Sequence, residues 1–177
     1  MSFITLVPKV RYPSKLDQYK PISLVGSLYK IISKVLSCRT EKVLYAIINE
    51  SQSTFLKNKG MLDSVLVANE VVEDLRRYMK SGLCLKVDYE KAYDSVRWNF
   101  LLDMLHRLGF HDRRIKWTRG CLEYVIVSVL VNGSPMEEFR SRGLRQGDPL
   151  TPFLFIVVVE GLVGLVRQEI KTNLLVA

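Results

Sequence analysis

The carboxylate Asp88 ends a short apolar run, Leu83-Cys84-Leu85-Lys86-Val87, and is followed by Tyr89, Tyr93 and a second carboxylate, Asp94. A strand that ends on an aspartate sets a hard oxygen ligand at the rim of a sheet, where a divalent cation can be held. Phosphoryl chemistry on a pair of Mg²⁺ ions needs several such oxygens. One carboxylate is not a site, so the question is what the other elements bring to Asp88. Asp94 has two readings. It takes part in that chemistry, or it serves with Ser95 as the N-cap of the amphipathic stretch that follows, and capping is the preferred role.

A second stretch with chemical potential is Gly143-Leu144-Arg145-Gln146-Gly147-Asp148-Pro149-Leu150-Thr151-Pro152. Its glycine, proline and polar density marks a loop, and Pro149 and Pro152 suit entry into a helix. Glycines at such a junction let a substrate approach the backbone closely. The plain alternative is a turn and nothing more.

Periodicity supplies the elements that must position these residues. Phe3 to Val7 reads as a strand closed by Pro8, followed by a basic loop from Lys9 to Lys15. Pro21 biases Lys20 towards extended backbone. From Leu28 to Ile47 apolar residues recur at helical spacing, which predicts Leu28, Ile31, Ile32, Val35, Leu36, Val43, Leu44 and Ile47 inward. The opposite face carries Lys30, Lys34, Arg39 and Lys42, either as a simple solvated face or as a polyanion contact. A polar connector with Lys57 and Lys59 leads to a helix from Met61 to Met79, with Leu62, Val65, Leu66, Val72, Leu75 and Tyr78 inward and Ser81-Gly82 ending it. A helix from Ser95 to near Gly109 and a short one from Asp112 to Gly120 come next. Tyr124 to Val131 is a β-branched strand that turns at Asn132-Gly133 into a return strand holding Phe139. Phe153 to about Ile170 forms the last helix.

At 177 residues the chain suits one domain or part of a larger one, and 48% apolar content argues for a packed core. The net charge of +8 points to a polyanionic partner, with nucleic acid ahead of an acidic membrane surface. Cys38, Cys84 and Cys121 are widely spaced, which disfavours a zinc site or a disulfide framework and favours a reducing compartment. The N-terminal apolar run is too short for a secretory signal. Phe153 to Val166 is too short to span a bilayer and contains Glu160, so it reads as a buried core helix. With no membrane association, the expected compartment is the nucleus or the cytoplasm.

Four blocks, taken in order, carry a family resemblance: Ile4 to Lys9 with Tyr19-Lys20-Pro21-Ile22-Ser23-Leu24; Gln52 to Leu66; Leu85 to Asp94; and Gly143 to Phe155. Together they resemble the reverse transcriptase domain of plant LINE-type (non-long-terminal-repeat) retrotransposons. The resemblance implies an α+β fold: the fingers of a right-hand polymerase over residues 1–82, mostly helical, and an incomplete palm over 83–177. That palm would be a ferredoxin-like βαββ portion holding the Leu83–Asp88 strand, the Val125–Val131 hairpin and the Phe153 helix packed behind the sheet. It also implies roles. Asp88 would be the first catalytic carboxylate and a Mg²⁺ ligand, with the Tyr89 backbone carbonyl on the nucleotide-side ion. Tyr93 would gate the sugar 2′ position, and Gln146 and Gly147 would lie beside the incoming nucleotide. Lys20 and Lys59 would offer cations to the triphosphate. The implied partners are an RNA template, a DNA primer and a dNTP.

Two departures from the family pattern accompany the match. Lys stands at both finger positions where Arg is usual, and Asn58-Lys59-Gly60 stands where Gly-Arg is expected; Lys keeps the charge but loses the bidentate fork. The family's third palm motif, an aromatic-Ala-Asp-Asp turn, has no counterpart, because these residues contain no Asp-Asp pair. The thumb has none either. The expectation is a fragment, inactive alone, with an exposed sheet edge and an apolar patch that limit its solubility. The alternatives are a non-catalytic basic nucleic-acid-binding remnant and a group II intron maturase-like fragment, whose blocks fit less well.

Overall fold

The chain forms four strands, β1 (Ser2–Pro8), β2 (Tyr19–Leu24), β3 (Ile126–Val131), which is mostly β-branched, and β4 (Ser134–Arg140). A computed structural model describes residues 2–48, 61–82, 87–89, 91–123, 126–140 and 142–172. The helices are α1 (Ser27–Ile47), α2 (Met61–Arg77), α3 (Trp98–Arg107), α4 (Asp112–Glu123) and α5 (Thr151–Lys171). The strands make one mixed sheet in the order β2-β1-β3-β4. β1 runs antiparallel to β2, with Val7 opposite Lys20, and parallel to β3, with Ile4 opposite Val129. The predicted hairpin forms: Val127 faces Phe139, and Asn132 and Gly133 turn at φ 51° and 81°, as a tight two-residue turn demands. Strands from both sides of residue 82 share this sheet. The expected Leu83–Asp88 strand falls largely outside the described residues. Val87, Asp88 and Tyr89 are described and have irregular backbone.

The hydrophobic core lies among the helices. Its buried cluster joins Leu36 and Leu44 of α1, Leu101, Leu102 and Leu105 of α3, Ile115 and Leu122 of α4, and Leu154, Ile156 and Val157 of α5. Leu144 and Leu150, from the loop before α5, complete it. Helix α5 packs mainly against α3 and α1. The expected packing behind the palm sheet involves the Leu83–Asp88 strand, most of which lies outside the described residues. At Gly161 a Cβ would meet the Met104 side chain at 3.0 Å, which shows how closely α5 and α3 approach.

Three expectations from periodicity are corrected here. Helix α1 turns a different face inward: Ser33, Ser37 and Thr40 are buried with Leu36 and Leu44, whereas Leu28, Ile31, Ile32 and Val35 are exposed. The cause is polar. The Ser33 hydroxyl donates to Asp148, and that of Ser37 donates to the Lys34 carbonyl at 2.8 Å, so small satisfied groups fill the closest contact. On α2, Leu62, Val65, Leu66 and Val72 are exposed, as is Tyr78 just past its end, because no described element packs extensively on that helix. Helix α3 begins at Trp98 behind the turn 91–95, its N-cap is Arg97, and no side chain caps it, so neither Asp94 nor Ser95 does so. Lys91, at φ 49°, starts that turn. Among the described residues no helix is long and apolar enough to cross a membrane.

Candidate functional site

The loop from Gly143 to Leu150 is where the strands, the Asp88–Asp94 stretch and the helical core meet. Leu144 and Leu150 are each 1% exposed and anchor it in the core. At its start, the Leu144 N–H donates to the Tyr93 carbonyl at 2.7 Å, and the Trp98 indole N–H donates to the Gly143 carbonyl at 2.7 Å. At its middle, the Ser23 N–H of β2 donates to the Gln146 carbonyl at 2.9 Å. Gly147, at φ +100°, lies on β2 so closely that a Cβ would stand 2.8 Å from the Ser23 carbonyl oxygen. Only glycine fits there.

Inside the loop two charged residues are buried, and they clasp it to α1 and α4. Asp148 accepts from the Ser33 hydroxyl, from the Tyr29 hydroxyl at 2.5 Å and from the Leu150 N–H at 2.9 Å. Arg145 Nη2 lies 3.4 Å from Asp148 Oδ2 and donates to the Tyr29 hydroxyl oxygen at 2.6 Å and to the Cys121 carbonyl at 2.5 Å. The guanidinium also sits over the Tyr29 ring, 5.0 Å from its centroid. Sequence reading assigned neither residue a role. The available signal was a charged pair three apart between two leucines, which drag it inward, facing a helix whose small hydroxyl residues repeat at Ser33, Ser37 and Thr40.

Burial, and then the charge of Asp148, push the Tyr29 phenol far above its ordinary value near 10, although Arg145 opposes the shift. The folded protein therefore keeps this proton after the unfolded chain has lost it. The stabilisation is complete below about pH 10 and is lost as pH rises beyond it. Urea unfolding at about pH 9 and about pH 11 checks this: Tyr29→Phe should flatten the alkaline loss of stability seen in the parent.

The Asp88 stretch joins the same place through aromatic rings. Phe155, in the second turn of α5, takes Tyr89 edge-on at 5.4 Å between centroids and Tyr93 at 5.3 Å. Burial raises the pKa of both tyrosines, so both remain neutral phenols at physiological pH. Burial also raises that of Asp94, against the pull of Lys91. Lys20 lies on β2 and shares a sheet face with Ile22, whose side chain lies 3.6 Å from the Cβ position at Gly147. Tyr93, Gln146, Gly147 and the strand bearing Lys20 are thus gathered at one junction, with Tyr89 tied in through Phe155. Asp88 is exposed beside Tyr89. Lys59 lies outside the described residues.

The donors among the described residues do not fit a pair of divalent ions. Among the described residues no three His, Cys, Asp or Glu side chains group to hold a metal. Asp88 with one backbone carbonyl falls short of the several carboxylate oxygens that two ions require.

The family described as reverse transcriptase (RNA-dependent DNA polymerase) matches residues 7–176. The chain is 27% identical over 168 residues to the transposon TX1 uncharacterized 149 kDa protein of Xenopus laevis, covering 94% of this chain and 13% of that protein. It is 28% identical over 167 residues to the retrovirus-related Pol polyprotein from type-2 retrotransposable element R2DM of Drosophila melanogaster, covering 93% and 15% respectively. It is 55% identical over 40 residues, 22% of the chain, to an uncharacterized mitochondrial protein of Arabidopsis thaliana, one third of whose length (33%) is covered. The chain thus spans about a seventh of the two longer relatives. The family match over residues 7–176, with these relatives, makes the chain a member of the reverse transcriptase family, of the non-long-terminal-repeat retrotransposon type.

Proposed function

We propose that this junction is the nucleotide-facing part of an RNA-directed DNA polymerase domain from a plant LINE-type element, with residues 1–82 as fingers and 83–177 as the first part of the palm. The convergence of Tyr93 and of the strand bearing Lys20 on the loop that holds Gln146 and Gly147 supports the reading, since the three segments sit far apart in sequence. The short stretch shared with the Arabidopsis protein supports the plant origin. In this reading the partners are an RNA template, a DNA primer and a dNTP, and a primer 3′-hydroxyl attacks the α-phosphate with pyrophosphate leaving. Lys20 and Lys59 neutralise the triphosphate. In this reading the ring of Tyr93, held by Phe155, blocks a ribose 2′-hydroxyl, and Gln146 and Gly147 lie beside the nucleotide on a step that only glycine allows to sit so close to β2.

Enzymes of this family generally use divalent metal ions, and Asp88 with the Tyr89 carbonyl is the proposed remnant of that cradle. Since the described donors do not complete it and the sequence contains no Asp-Asp pair, these 177 residues alone should extend no primer on an RNA template. Purified chain is assayed with Mg²⁺ beside Asp88→Asn. Extension by the parent that vanishes in the variant would refute the incomplete cradle. The net charge of +8 favours one further expectation. The chain should retain a primer–template duplex at low salt, with affinity falling log-linearly as salt rises. No retention even at low salt would contradict nucleic-acid binding in any form.

A further inference from the structure

Buried ion pairs are seldom the cheapest way to stabilise a core, since apolar side chains of similar volume do as well or better. The Arg145–Asp148 pair therefore calls for a role in position rather than in stability. Its placement supplies one. Arg145 and Asp148 point inward, to Tyr29, Ser33 and the Cys121 carbonyl, while the two residues between them are less buried and lie along β2. Gln146 offers its carbonyl to Ser23, and Gly147 lies against the same strand. That step is thus held by one buried charge on each side. A shift of the inner contacts by one peptide would lose the 2.9 Å bond to β2 and the 2.7 Å bond from Leu144 to Tyr93.

We propose that Arg145 and Asp148 are positioning residues for nucleotide binding. Their clasp on Tyr29 and Ser33 fixes the Gln146–Gly147 step in register with Tyr93 and with the strand that bears Lys20. This rests on the reading of the junction as nucleotide-facing. It concerns residues that touch no nucleotide themselves and act by holding those that do.

The structure contains its own reporter. Trp98 donates its indole N–H to Gly143 at the start of the loop, and Trp117 is the only other tryptophan in the sequence. In a Trp117→Phe background, Trp98 emission and acrylamide quenching follow the loop, circular dichroism follows the fold, and a fluorescent dNTP follows binding. Two variants keep the test free of misfolding: Tyr29→Phe, which removes a single hydroxyl, and the double variant Arg145→Met with Asp148→Leu, which removes both charges together and leaves none uncompensated. Both should stay folded, expose Trp98 to acrylamide more than the parent does, and lose about tenfold in dNTP affinity, the scale of one misplaced hydrogen bond. Folded variants that bind dNTP as the parent does overturn the proposal, whether or not Trp98 moves. A parent that takes no dNTP overturns the nucleotide-facing reading, and the proposal with it. The two failures are therefore told apart by the parent alone.

Discussion

Asp148→Ala should cost about 3–5 kcal/mol of folding stability, the range for breaking a buried pair by removing one partner. The two side chains are only 4% and 5% exposed, so water cannot take over from the lost carboxylate. Arg145 would keep its charge in the core with only the Cys121 carbonyl and the Tyr29 ring and hydroxyl to receive it. The Ser33 hydroxyl and the Leu150 N–H would lose their acceptor in the same step. The double variant Arg145→Met with Asp148→Leu should cost far less, because it leaves no charge behind. Urea unfolding of parent, single and double variants measures both. A loss below about 1 kcal/mol in Asp148→Ala, the value of an exposed pair, would mean that the clasp is open to solvent.

Gly143→Ala should cost about 3 kcal/mol or more, through a collision that no side-chain movement can relieve. Gly143 has φ +75°, and a Cβ there would stand 2.7 Å from the Tyr93 carbonyl oxygen and closer still to that of Asp94. Both obstacles are backbone, so the loop or the 91–95 turn must move. Movement of either breaks the Leu144–Tyr93 bond and draws Trp98 off the Gly143 carbonyl. Gly133 is the natural control. Its φ of +81° is similar, but nothing lies within 4 Å of its Cβ position, so alanine there should cost only the left-handed backbone penalty of about 1–2 kcal/mol. Thermal melts of the two variants separate collision from conformation. Equal losses would place Gly143 in open space.

Much of this was legible in the sequence. Alternation and β-branching marked β1 and the β3–β4 hairpin, and the glycine after Asn132 marked its turn. Apolar spacing marked α1 and α5 to within a few residues at each end. Facing was harder to read. Hydrophobicity predicted that Leu28, Ile31 and Ile32 would point inward, yet α1 buries Ser33 and Ser37, because a polar helix face can be buried where a carboxylate such as Asp148 satisfies it. That partner lies 115 residues away, beyond the reach of any local pattern. The start of α3 has a distant contact as well: the indole N–H of Trp98, its first residue, donates to the Gly143 carbonyl 45 residues away. For the proposed site, Tyr93, Gln146 and Gly147 could be named in advance from the family resemblance alone. The two residues that hold them, Arg145 and Asp148, could not, because their role depends on being buried together.

The meeting of Tyr93, Gln146 and β2 on a single loop is the observation on which the functional reading rests. Photo-crosslinking of a dNTP analogue to the 177-residue chain, followed by mass mapping of the labelled peptides, tests it most directly. Label should fall on the peptides containing Tyr93 and Gln146, with Lys20 beside them, and should fade when unlabelled dNTP competes. Label confined to the groove between α1 and α4, around Ile32, Val35 and Trp117, would contradict it.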